Sequence, residues 1–219
     1  MRDAQIRAVF FDLDGTLADT APDLGGALNQ LLEELGRPAL EMATLRPHVS
    51  AGTRGMLGIG FGVAPDAPTY PDLAKRFLEL YAKRLCRETR LFDGMPPLLD
   101  HLETRGILWG IVTNKPARFT LPLADCLKLS GRAAAIVSGD STPRPKPAPD
   151  ALLLACQMAR ITPMQALYVG DDLRDIQAAH AAGIPAVAAA YGYLGNHVPI
   201  GDWAADAVIA TPLDLLDLL

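Results

Sequence analysis

The stretch Phe11-Asp12-Leu13-Asp14-Gly15-Thr16 sets two carboxylates two residues apart at the end of an apolar run. Acids that close repel each other unless a cation stands between them, and the glycine permits a tight turn beside them. A capped polar turn accounts for Asp14-Gly15, but not for an aspartate still inside the apolar run. Three further stretches carry polar groups at comparable places: Thr113-Asn114, Lys146 between Pro145 and Pro147, and Gly170-Asp171-Asp172-Leu173-Arg174-Asp175. Thr-Asn before a proline is, alone, a capping turn. The prolines fix φ around Lys146, so this lysine is held in place rather than left to wander. Asp171 and Asp175, four apart, share one helix face, while Asp172 complements the helix N-terminus. Carboxylate oxygens beside a lysine and Thr/Asn donors suit Mg²⁺ and a phosphoryl group.

The elements that must position these groups are readable from hydrophobic pattern. Short continuous apolar runs at Ala8–Phe11, Ile107–Val112, Ala133–Val137, Ala166–Val169 and Pro185–Ala189 are what strands buried on both faces require. Helical spacing separates them, near Pro96–Arg105, Pro116–Leu129, Pro149–Arg160 and Leu173–Ala182. The alternation predicts an α/β fold, a doubly wound Rossmann-like parallel sheet with the polar stretches at its carboxyl edge. From about Asp23 to Thr89 the spacing is helical throughout, with no strand-like run, and this predicts an inserted all-α cap. The expected boundaries are a catalytic core of residues 1–18 plus 90–219 and a helical cap of residues 19–89. Within the cap, Ser50–Gly55 and Gly58–Pro68 read as a long Gly/Pro-rich loop.

Composition bounds the function. The chain has 219 residues, 50% hydrophobic and 21% charged, and a formal net charge of -5. Asp outnumbers Glu by 19 to 6, which points to caps, turns and hard-metal sites rather than exposed helix faces. An acidic chain lacks the basic face that a nucleic-acid binder uses to displace phosphate counterions. Cys86, Cys126 and Cys156 are odd in number and far apart, so they are read as reduced, buried and structural. Arg2, Asp3 and Arg7 before a short apolar run fit no signal peptide. The longest uncharged stretch, Ala181 to Asn196, is broken by Gly183, Pro185, Gly192 and Gly195 and falls short of a membrane span. A soluble cytoplasmic protein with no nucleic-acid or membrane partner, monomeric or homodimeric, is expected. His48, His101, His180 and His197 show no ligand spacing and are read as structural, as is the Gly192/Gly195 turn.

Taken in order, Asp12-x-Asp14-Gly15-Thr16, Thr113-Asn114, Lys146 and Gly170-Asp171-x₃-Asp175 resemble the motifs of the haloacid dehalogenase superfamily, with its cap inserted after the first motif. The resemblance runs over essentially the whole chain. Asp19 to Leu24 and Leu91-Phe92-Asp93-Gly94-Met95 are similar to phosphoglycolate phosphatases. Leu108 to Pro116 together with Val49-Ser50-Ala51-Gly52 also look like N-acetylmuramic acid 6-phosphate phosphatases. The resemblance implies Asp12 as nucleophile, forming an aspartyl-phosphate, and Asp14 as the acid that protonates the leaving alkoxide and then activates water. It implies Mg²⁺ held by Asp12, the Asp14 carbonyl and Asp171 with Asp175 in support. Thr113, Asn114, Gly15, Thr16 and Lys146 would bind the phosphate, and Lys146 would offset charge between Asp12 and substrate.

Substrate choice is expected in the cap, where Ser50, Gly52, Thr53 and Arg54 could meet a carboxylate or sugar. The leading expectation is a Mg²⁺-dependent phosphomonoesterase of a small metabolite, with 2-phosphoglycolate first and N-acetylmuramate 6-phosphate next. Two other classes share the features: a sugar phosphomutase of the same superfamily, and a phospho-accepting signalling module. Asp14 and the absence of room for an effector domain count against the second.

Overall fold

The computed structural model describes residues 5–195 and 198–219. Arg2, Asp3, Asn196 and His197, which enter the sequence reading, lie outside the described residues. Six parallel strands form one sheet: β1 (Ala8–Phe11), β4 (Leu108–Val112), β5 (Ala135–Val137), β6 (Ala166–Gly170), β7 (Ala186–Ala189) and β8 (Ala207–Ile209), in the order β5-β4-β1-β6-β7-β8. β1 is central, with Phe11 in register with Ile111 on one side and Val169 on the other.

Alternation along β1 feeds two hydrophobic layers. Val9 and Phe11 pack with α5 (Met95–Thr104) and α6 (Ala117–Cys126), whereas Ala8 and Phe10 pack with α7 (Asp150–Ala159) and α8 (Leu173–Ala182). Both faces are covered, so the strands are apolar at every position, as parallel sheets demand. The expected α/β doubly wound architecture is the one observed. β8 escapes the sequence reading because it is a three-residue edge strand, with Val208 half exposed, whose apolar run is too brief to stand out.

Between β2 (Ala18–Asp19) and β3 (Arg90–Leu91), which pair antiparallel as a two-stranded ribbon, lie four helices: α1 (Ala21–Glu34), α2 (Met42–Leu45), α3 (Gly52–Phe61) and α4 (Tyr70–Arg84). They bury their own cluster, with Leu28, Leu31, Met56, Phe77 and Leu80 at its centre. The ribbon is closed by buried Asp23, which accepts the backbone N–H groups of Glu88 and Thr89 and the Thr89 hydroxyl. α1 has no side-chain cap of its own; the Tyr193 hydroxyl accepts the N–H groups of Thr20 and Ala21 instead.

Two expectations are corrected here. The Gly-rich segment around Ser50–Gly55 is not a loop: residues 46–51 form a 3₁₀ turn and α3 follows at once. Glycine costs a helix about 1 kcal/mol each, but a Cβ at Gly55 would stand 2.2 Å from the His48 carbonyl oxygen. That glycine serves close packing, and burial of Met56 and Leu57 holds the helix. The cysteines are the second correction. Cys86 and Cys126 form a disulfide, because the chain just past α4 returns against the end of α6 and brings the two Cα atoms to 6.5 Å. Separation in sequence says nothing about that return. Cys156 is free and buried under the α7 face, as expected, and burial pushes its thiol up to about 11. Among the described residues no helix is long and apolar enough to cross a membrane.

Candidate active site

The ends of β1, β4 and β6 meet in the middle of the sheet, and the ladder extends one residue past β1, where the Asp12 N–H donates to the Val169 carbonyl at 2.9 Å. This fixes Asp12 at the carboxyl edge, the ligand-binding edge of open α/β sheets. One oxygen each from Asp12, Asp171 and Asp175 falls within 4.8 Å of the others. The two partners of Asp12 are buried, and the glycines beside them are sterically required. A Cβ at Gly15 would lie 2.1 Å from Asp171 Oδ2, and one at Gly192 would lie 2.2 Å from Asp171 Cβ.

Lys146 is the charge that holds this cluster. Its Nζ lies 2.9 Å from Asp12 Oδ1 and 2.6 Å from Asp175 Oδ1, and donates at 2.8 Å to the Tyr168 hydroxyl. Tyr168 passes its own proton to the Val112 carbonyl at 2.8 Å. Lys146 Nζ also donates to the Val112 carbonyl at 3.1 Å, so its hydrogen bonds go to Asp175, Tyr168 and Val112 while Asp12 is held as an ion pair. Burial works against the charged lysine, yet Asp12 and Asp175 outweigh it and keep Lys146 above the ordinary lysine value. One ammonium does not neutralise three acids. Burial, opposed by Lys146 but reinforced by Asp175 and Asp14, pushes the Asp12 carboxyl up to about 6. Burial, Asp12 and Asp175 push the Asp171 carboxyl well above the usual range. Among the described residues Asp171 accepts only neutral donors, the Thr16 hydroxyl and the Tyr193 N–H, each at 2.8 Å. A cluster of hard oxygens short of one cation fits a divalent metal such as Mg²⁺.

Asp14 sits apart from that cluster. Its Oδ1 accepts Lys115 Nζ at 2.8 Å and the Thr20 hydroxyl at 2.6 Å, and its Oδ2 makes no hydrogen bond among the described residues. Lys115 is buried, lies 4.8 Å from the centroid of the Tyr81 ring on α4, and stays cationic: burial opposes the charge, and Asp14 and Tyr81 overcome it. The acid is therefore gripped jointly by the β4–α6 turn and the ribbon leading into the insertion.

A cavity of about 290 Å³ opens over this edge. Asp12, Asp14, Thr113, Asn114, Lys146 and Asp175 line its floor, and Ser50, Gly52 and Thr53 line its roof. Arg54 and His48 do not reach it, and Arg54 is exposed. Three of the expected phosphate contacts are engaged within the protein. Gly15 and Thr16 lie outside the lining: the Gly15 N–H donates to the Ala18 carbonyl, and the Thr16 hydroxyl holds Asp171. The Asn114 side chain is taken up by the backbone of Lys146, donating to its carbonyl at 3.0 Å and accepting its N–H at 2.9 Å. It clamps the proline-flanked loop. Thr113 lines the cavity, and among the described residues its hydroxyl donates to no group while its oxygen accepts the Lys115 N–H at 3.2 Å. Asp172 caps α8, as read from the sequence, and its carboxylate is bound by Arg174, which also donates to the Ser50 carbonyl at 2.7 Å.

Sequence reasoning missed Tyr168, Lys115 and Tyr193. The signal for Tyr168 was the single hydroxyl inside Ala166-Leu167-Tyr168-Val169; Tyr193 lies in the turn read as structural, where its N–H holds Asp171 and its hydroxyl donates to Asp19.

Comparison with known proteins accords with this geometry. The model of the haloacid dehalogenase-like hydrolase family matches residues 9–189. An N-acetylmuramic acid 6-phosphate phosphatase of Pseudomonas putida is 40% identical over 211 residues, 96% of this chain and 95% of its own length. A phosphoglycolate phosphatase of Xanthomonas campestris pv. campestris is 44% identical over 210 residues, 95% and 94% of the two chains. Among solved structures, a predicted phosphoglycolate phosphatase from Haemophilus somnus superposes with a TM-score of 0.85 at 26% identity, covering 98% of each chain. The chain belongs to the haloacid dehalogenase-like hydrolases, and within that family it is a phosphatase.

Proposed function

We propose that the protein hydrolyses a phosphomonoester of a small metabolite, with Mg²⁺ bound, through an aspartyl-phosphate on Asp12. The observation that carries this reading is the pairing of Asp12 with a buried, cationic Lys146 at the floor of a cavity whose opposite wall is the helical insertion. Asp12 supplies the nucleophilic carboxylate. Lys146 offsets repulsion between Asp12 and an approaching phosphate. Thr113 donates its free hydroxyl to a phosphoryl oxygen. Asp14, anchored by Lys115 and Thr20 through Oδ1, carries the transferred proton on Oδ2, first to the leaving alkoxide and later from water. Asp12, the Asp14 carbonyl and Asp171 would hold Mg²⁺, supported by Asp175, and the bound ion supplies charge stabilisation to the phosphoryl oxygens. Residues 19–89 act as the cap over this site and residues 1–18 plus 90–219 as the catalytic core.

For the substrate, the relatives name two compounds, and the cavity supports one over the other. At about 290 Å³ it reaches the low end of what encloses a drug-sized ligand, roughly 300 Å³. Leu24, Val49, Leu78, Tyr81 and Phe119 give it an apolar side. A two-carbon acid leaves that side to water, whereas the acetamido and lactyl groups of N-acetylmuramate 6-phosphate cover it. The second reading, 2-phosphoglycolate, is the smaller ligand.

The test is turnover across 2-phosphoglycolate, N-acetylmuramate 6-phosphate, hexose phosphates and nucleoside monophosphates, with and without chelator. Asp12→Asn should lower kcat on the order of 10⁴-fold or more, and chelation should abolish turnover until Mg²⁺ is restored. Activity that survives Asp12→Asn would remove the nucleophile assignment. A higher kcat/KM for 2-phosphoglycolate would reverse the substrate order, and isomerised hexose phosphate in place of free phosphate would indicate a mutase.

A further inference from the structure

Four cationic side chains line the cavity: Lys115, Arg118, Lys146 and Arg174. Three are held by carboxylates of the protein, Lys115 by Asp14 at 2.8 Å, Lys146 by Asp12 and Asp175, and Arg174 by Asp172 at 2.8 Å. Arg118 alone pairs with no carboxylate among the described residues. Its guanidinium carbon stands 4.8 Å from the centroid of the Phe119 ring, and that ring is itself buried and fixed against Tyr81, centroid to centroid at 5.2 Å. The stack restrains the guanidinium, and its donors make no hydrogen bond among the described residues.

The position of Arg118 adds to this. It lies in the first turn of α6, where the helix dipole disfavours a cation. The turn is already served by Asp140, whose carboxylate accepts the Ala117 N–H at 2.9 Å and makes no ion pair with Arg118. Arg118 therefore brings nothing to the helix, and an anion arriving beside it would satisfy both the guanidinium and the dipole. A second phosphate, doubly charged, would need more than the one free cation at this end of the cavity. A carboxylate matches one guanidinium fork, charge for charge.

We propose that Arg118 reads a carboxylate at the end of the substrate remote from its phosphate, so that the substrate class is phosphorylated carboxylic acids rather than neutral sugar phosphates. The inference rests on the phosphatase reading and places the specificity contact on the core helix α6, away from the cap residues expected from the sequence. It does not depend on which of the two named substrates is the physiological one, because both carry the carboxylate.

The test compares each acid with a partner that lacks the charge: 2-phosphoglycolate with its primary amide, and N-acetylmuramate 6-phosphate with the primary amide of its lactyl group. For the wild-type protein with Mg²⁺, kcat/KM should favour the acid on the order of 10- to 100-fold, the range of a charge-assisted hydrogen bond. In Arg118→Gln that ratio should collapse toward one, mainly through KM, and Arg118→Lys should retain part of it. Matched thermal melts confirm the fold of each variant, since the side chain is exposed. An undiminished ratio in Arg118→Gln, or no acid preference in the wild type, overturns the proposal. If p-nitrophenyl phosphate and every ester above resist the wild-type enzyme, the phosphatase reading falls and takes the proposal with it.

Discussion

Removing one oxygen tests the charge arrangement beneath the nucleophile. Tyr168 is fully buried, and its hydroxyl touches Lys146 Nζ at 2.8 Å, the Val112 carbonyl at 2.8 Å and Asp175 Oδ1 at 3.2 Å. In Tyr168→Phe the ammonium keeps its hydrogen bonds to Asp175 and to the Val112 carbonyl, the latter at 3.1 Å, and its ion pair with Asp12. No buried polar group is orphaned, and the loss is one charge-assisted bond and one neutral bond, less the replacement. That difference is about 1–2 kcal/mol, or a fall in Tm of roughly 2–8 °C for a chain of this size. Lys146→Met is the contrast. It leaves the buried Asp12 and Asp175 without compensation, a change that costs about 3–5 kcal/mol when one partner of a buried pair is removed. Urea and thermal unfolding in chelator give both values, and kcat/KM on an aryl phosphate gives the second readout. Tyr168→Phe should lose about tenfold in kcat/KM, far less than Lys146→Met. The reasoning is refuted if Tyr168→Phe destabilises as much as Lys146→Met, since the hydroxyl rather than the ammonium would then be holding the acids.

Two other expectations follow from the same coordinates. Without metal, burial and the neighbouring acids raise Asp12 from 3.8 to about 6, so the folded state binds a proton that the unfolded state has released. This contribution favours the fold below about pH 4 and is lost as pH climbs through 6, up to about 3 kcal/mol; the Tm gain on adding Mg²⁺ should therefore be larger at pH 7.5 than at pH 5, and a gain independent of pH would exclude Asp12 from the ion's surroundings. The Cys86–Cys126 bridge predicts that the protein, denatured without reductant, shows one reactive thiol, Cys156, and three after reduction; three thiols before reduction would mean that the pair is not oxidised in solution.

The parallel sheet was legible because burial on both faces forces an unbroken apolar run, and nothing but a strand or a short buried helix produces one. Four of the core helices were legible for the complementary reason, a single buried stripe. α3 was not, because two of its glycines serve close packing, Gly55 against the His48 carbonyl and Gly60 against Leu28 of α1, a property of the fold that composition disguises as flexibility. The acids and Lys146 were legible as residue types at strand ends. Their partners were not: Tyr193 reaches Asp171 across 22 positions and Asp19 across 174, and Lys115 reaches Asp14 across 101. Thr16 and Asn114 show the same divide from the other side. Their polarity marked them as site residues, but only the packing reveals that one orients Asp171 and the other clamps the Lys146 loop.

The acidic composition and the anionic substrate are reconciled by local charge balance. Four carboxylates and four cationic side chains line the cavity, so its walls are formally neutral. Beneath them lies buried Asp171, whose carboxyl is pushed well above the usual range by burial, Asp12 and Asp175, which without metal favours its neutral form. In that state a phosphate dianion meets no net attraction, and Lys146 is already engaged with two acids. One divalent ion at the Asp12–Asp171–Asp175 cluster, displacing the Asp171 proton, would give the region a single positive charge. The metal would therefore decide whether the substrate binds at all, and Arg118, the one cavity-lining cation with no ion pair among the described residues, would decide which end of a bifunctional anion faces away from Asp12.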